Sequence, residues 1–173
     1  MNVHILRLVT GDDLRASLEA AFAELARAHG IAAACIVSAV GSLSQAVLRY
    51  ADKSRGSEIN GPLELLMLSG TLSADGAHLH GSVADAQGAV RGGHIMPGCT
   101  VRATCEVVIA LLPGWEFRRE LDVATGFREL AVKTQAAGVP PPQPSPGGGG
   151  SESGSVPPPQ PSPGRGGRKK KDR

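Results

Sequence analysis

LELLMLSGTLSADGAHLHGSVADAQGAVRGGHIMPG, residues 63–98, is the stretch that decides the fold. Residues 63–72 are a mostly apolar run of strand length, and Ser73-Ala74-Asp75-Gly76 follows with an Asp-Gly pair, a strong two-residue hairpin signal. The returning strand covers residues 77–85, Gln87-Gly88 makes a further turn, and Arg91-Gly92-Gly93-His94 reads as a glycine-rich crossing. Short turns between neighbouring strands leave no room for a crossover helix, so this half of the chain predicts an antiparallel sheet.

Working outward gives the same answer. Toward the C-terminus, residues 101–112 form a long strand closed by Pro113-Gly114, residues 115–121 return as its partner, and residues 127–132 supply a last strand. Toward the N-terminus, residues 4–9 are a β-rich run ended by Thr10-Gly11. A helix follows, capped by Asp12 or Asp13, with Leu14, Leu18, Phe22 and Leu25 at helical spacing and Gly30 as its stop. Residues 31–40, IAAACIVSAV, predict a strand covered on both faces, with the helix on one of them, and Gly41-Ser42 breaks it. Residues 45–51 form another strand, and the polar residues 52–62 a loop. The expected fold is α+β: a largely antiparallel β-sheet with one main α-helix packed on it.

Composition divides the chain at about residue 135. The first 135 residues of 173 carry 12 Lys and Arg against 14 Asp and Glu, a net −2, and residues 136–173 carry six against two, a net +4. One folded domain, 1–135, is therefore expected, followed by a disordered linker and tail, 136–173. That tail holds VPPPQPSPG twice, at 139–147 and 156–164, around a Gly/Ser run that cannot bury apolar area. It ends in the basic residues Arg165, Arg168, Lys169, Lys170, Lys171 and Arg173, a pattern suited equally to phosphate contact and to a solubilising or nuclear-targeting run. Cys35, Cys99 and Cys105 each lie in an apolar run outside any Cys-x-x-Cys pair, which predicts buried thiols in a reducing compartment. No basic leader with a long apolar run and no stretch of 18 apolar residues occurs, so an intracellular protein away from membranes is expected, in the cytoplasm, the nucleoid or a nucleus.

Chemistry concentrates at three histidines. His78 and His80 lie two apart in a strand and share a face, while Leu79 and Val83 point to the other. A solvated strand carries such a pair by chance, so His94, one turn and one strand away, decides the reading. Three neutral imidazoles with an open position suit a divalent metal, zinc first, with nickel, iron and manganese open on ligand type alone. Glu106 shares a strand face with Arg102 and Thr104. It is the candidate fourth ligand, imidazole acceptor or general base, against a plain ion pair with Arg102. Ser42, Arg49 and Asp122 carry no local sign of nucleophilic chemistry, and His4 and His29 have no partners in sequence.

At these residues the sequence resembles the plants-and-prokaryotes-conserved, or PPC, domain. The resemblance rests on RLVTGDDL, SAVGSL at 38–43, the whole of 63–98, VRATCEVVI at 101–109 and FRRELDVATGFREL at 117–130. It implies an antiparallel sheet with flanking helices, a homotrimer, and a three-histidine motif matched by His78, His80 and His94. It also implies a fold similar to acetolactate decarboxylase, a metal enzyme. Plant members of the family are nuclear DNA-binding proteins with AT-hooks beside this domain. Here the sequence at 163–168, PGRGGR, is only AT-hook-like, with a second glycine between the arginines and no following proline. Two functional classes follow. One is a trimeric, metal-carrying module that contacts DNA through basic tails; the other is a metal-dependent lyase or hydrolase in which Glu106 moves protons.

Overall fold

The computed structural model describes residues 2–135. Along the chain run β1 (Asn2–Val9), α1 (Leu14–His29), β2 (Ala34–Arg49), β3 (Ser57–Ser73), β4 (Gly76–Ala84), β5 (Val90–Ile95), β6 (Thr100–Leu111), β7 (Trp115–Leu121) and β8 (Arg128–Thr134). The first six strands form one sheet in the order β1-β6-β2-β3-β4-β5, and every ladder in it is antiparallel. β5 also pairs with the far end of β2, so β2, β3, β4 and β5 close a hydrogen-bonded ring. The expected architecture of an antiparallel sheet with one helix is what the chain adopts.

Asp13 caps the helix by accepting a hydrogen bond from Ala16 N–H at 2.8 Å. Leu14, Leu18, Phe22 and Leu25 are buried, and each contributes about 2 kcal/mol by leaving water. They lie against β3, β4 and β6 and join a core that includes Leu43, Leu65, Leu79, Ile95, Cys105 and Ile109. Cys99 and Cys105 are buried free thiols as expected, and Cys35 is half-buried. No described helix is long and apolar enough to cross a membrane.

Four details differ from the sequence reading. Gly41-Ser42 does not break a strand: β2 runs unbroken from Ala34 to Arg49. Gly41 is needed there for close approach, since a Cβ would lie 2.5 Å from the Thr104 carbonyl oxygen. The polar loop is shorter than expected, because Ser57, Glu58, Ile59 and Asn60 already pair with Leu48, Val47, Ala46 and Gln45, and Ile59 is buried. Among the described residues nothing covers both faces of the first half of β2, where Val37 and Val40 stand exposed. Finally, residues 115–121 do not pair with β6, whose two edges are already taken by β1 and β2. β7 instead pairs with β8 in a separate two-stranded sheet, tied to the body where Phe117 N–H donates to Ala32 O and Arg119 N–H to the Asp75 carboxylate.

Candidate metal centre

The period of the strand and the register of two ladders build the site. On β4, Leu79 and Val83 face the core, which turns His78 and His80 outward together. Across the β4–β5 ladder His80 stands directly opposite His94, so the third imidazole arrives on the same face. The residues read as a glycine-rich crossing are strand β5 itself. Gly93 is required because a Cβ there would lie 2.9 Å from the Arg49 carbonyl oxygen. Ring centroids of the three histidines are 5.0 to 5.4 Å apart, and one ligand nitrogen from each falls within 4.8 Å of the others.

A divalent ion fits these residues. The Nε2 atoms of His78 and His80 are 3.3 Å apart, close to the separation of about 3.4 Å that two nitrogens adopt on one tetrahedral zinc. Among the described residues, the buried Nδ1 of His94 has no hydrogen-bond partner, and a buried polar atom of this kind is satisfied by a cation or a donor. Burial, reinforced by the His78 ring and the Arg49 guanidinium, pushes His94 down to about 4. Burial first, then Arg119 and His80, also lowers His78. Both rings are therefore neutral near pH 7, the form that ligates metals.

The surroundings of the histidines carry no local sequence signal. A cavity of about 930 Å³ opens over His78 and His94, and its wall includes Arg49, Arg119 and Glu129. Arg49 is paired with His94 across the β2–β5 ladder, a contact no local motif announces. Arg119 and Glu129 come from the separate β7–β8 sheet. Glu106 is not brought to the histidines: it is exposed on β6, opposite Arg7 and Val40. Two strands intervene between β6 and β4, a separation of about 14 Å by strand spacing alone. The basic residues Arg165, Arg168, Lys169, Lys170, Lys171 and Arg173 lie outside the described residues.

An antiparallel sheet closed partly on itself, with three imidazoles converging on its outer face, defines a class of small domain with a potential metal centre. The Plants and Prokaryotes Conserved domain, abbreviated PCC or PPC, matches residues 1–113, and the chain belongs to that family. It is 45% identical over 148 residues to the bifunctional protein GlmU of Synechococcus sp. strain JA-2-3B'a(2-13), covering 83% of this chain but 23% of that protein. The chain thus spans about a quarter of the curated relative's length. A hypothetical protein from Salmonella enterica superposes with a TM-score of 0.72 at 37% identity, covering 78% of this chain and 94% of the other. A metal-containing protein from Archaeoglobus fulgidus gives a TM-score of 0.63 at 34% identity, covering 76% and 94%. A candidate DNA-binding protein from Ralstonia eutropha shares the fold, with a TM-score of 0.61 at 21% identity over 76% and 90% of the two chains.

Proposed function

We propose that this chain is a metal-binding PPC module that assembles as a homotrimer and contacts DNA through its basic C-terminal tail. The observation that carries it is the convergence of His78, His80 and His94 within 4.8 Å, with a buried nitrogen on His94 that has no partner among the described residues. Zinc is the ion this all-imidazole set suits, and when bound it supplies Lewis acidity. The name of the Archaeoglobus relative supports metal content, and that of the Ralstonia protein supports DNA association. For the trimer, support comes from Val3, Ile5, Val37 and Val40, exposed apolar side chains on β1 and β2 that another copy would cover. Residues 136–173 serve as a spacer carrying Arg165, Arg168, Lys169, Lys170, Lys171 and Arg173 to phosphate. Such a module works inside the cell, where nucleic acid is.

Elemental analysis of the purified full-length protein tests the central claim. One divalent ion per chain is expected, lost in His78→Ala. Undiminished metal in that variant would reject the site.

The cavity favours a second reading. An ion on these histidines would face an open space of about 930 Å³ rather than a sealed wall, which is what a metal-dependent lyase or hydrolase requires. Under that reading Glu129, half-buried at the cavity wall, is better placed than Glu106 to move protons.

A further inference from the structure

Two guanidinium groups flank the histidines, and neither is engaged in an ion pair among the described residues. Arg49 stands directly across the β2–β5 ladder from His94, and directly opposed residues of an antiparallel pair share a face. Arg119 reaches in from β7 and donates from Nη2 to Thr71 Oγ1 at 3.0 Å; Thr71 is the β3 partner of His78. The two cations are thus anchored on opposite sides of the imidazole group, both half-buried and both lining the cavity. Arg15, also at the wall, differs: it pairs with Glu19 at 3.0 Å and donates to the carbonyls of Ala77 and Ile95. Of the three carboxylates lining the cavity, Asp75 is already engaged by the Arg118 side chain and the Arg119 N–H. The other two, Asp52 and Glu129, share the wall with Arg49, Lys53, Arg119 and Arg128, so positive charge predominates there.

Half-buried guanidinium without a counter-ion binds carboxylate and phosphate oxygens well, because its fork of N–H donors matches their geometry. A cavity of about 930 Å³ is also of the size that encloses small ligands rather than a macromolecular surface. We propose that this cleft binds a small oxyanion, a carboxylate or a phosphate. Its oxygens take the guanidiniums of Arg49 and Arg119 and reach the ion held by His78, His80 and His94. The inference rests on the metal reading above and adds the class of ligand.

Full-length protein loaded with cobalt(II) tests it, since the visible spectrum of the ion reports changes in its ligands. Inorganic phosphate and lactate are titrated separately. A saturable spectral shift is expected from at least one, phosphate marking a phosphorylated ligand and lactate a carboxylate. In Arg49→Gln and Arg119→Gln the apparent Kd should rise about tenfold or more, the worth of one charge-assisted hydrogen bond, with cobalt content and thermal midpoint unchanged. If Arg119→Gln lowers the thermal midpoint, Arg49→Gln alone decides. Cobalt retained without a response to either anion, or with an unaltered response in the deciding variants, overturns the oxyanion site and leaves the metal site standing. Failure to retain cobalt overturns both.

Discussion

His94 is the residue on which the site's protonation turns. Its ring is held at about 4, chiefly by burial and then by the neighbouring His78, Arg49 and His80; in the unfolded chain it titrates near 6.5. Between those values the unfolded state binds a proton that the folded state refuses, so the stability of metal-free protein falls as pH drops through that window. Melting curves of chelator-treated protein should show the midpoint declining from pH 7 to about pH 4.5, and declining less in His94→Asn, which has no ring to titrate. Parallel curves for the two proteins would refute the assignment. The histidines themselves were legible because a period of two places His78 and His80 on one face whatever the rest of the chain does. Arg49 was not: its position beside His94 depends on β5 reaching back to the end of β2, a non-local pairing that no spacing encodes.

At the scale of elements, strand existence was easier to read than strand extent or partner. The hairpin signalled by Asp75-Gly76, whose turn falls on Ala74-Asp75, and the helix pattern at Leu14, Leu18, Phe22 and Leu25 are local signals, and both elements form. Gly41 misled because a glycine in a strand signals either an end or a close approach, and only the neighbour distinguishes them. Here the neighbour is β6, against which β2 shifts register three times while staying paired. A Cβ at position 41 would meet Thr104 O at 2.5 Å and Cys105 Cα at 2.6 Å, both backbone atoms. Gly41→Ala should therefore destabilise the domain by about 1–3 kcal/mol, the usual effect of overpacking a tight interior. Urea unfolding measures it; a midpoint equal to that of the parent protein would mean that the two strands separate freely, contrary to this account. The partner of β7 failed to appear in the sequence for a related reason. Adjacency in the chain favours β6, but both edges of β6 are filled by β1 and β2, and that exclusion is a property of the whole sheet.

For the molecule as a whole, charge is divided between a body of net −2 over residues 1–135 and a tail of net +4 over residues 136–173. An acidic body has no general attraction for DNA, so association of the kind proposed must come from Arg165, Arg168, Lys169, Lys170, Lys171 and Arg173. Each phosphate neutralised releases counterions, and the logarithm of the binding constant falls with the logarithm of salt concentration by about 0.9 per contact; one tail engaging all six cations gives a slope of about −5. Three tails on one trimer would act together through effective concentration and steepen it further. Replacing the six residues by glutamine in the full-length chain should flatten the slope and reduce affinity on any sequence alike, because phosphate contacts carry no base information. His78→Ala, with the tail intact, should leave the slope unchanged as long as the variant keeps the oligomeric state of the parent protein. Gel-shift titrations at three salt concentrations, read beside sedimentation of the same samples, separate these effects. An undiminished slope in the glutamine variant would move the DNA contact from the tail to the folded domain and to the cations around the three histidines.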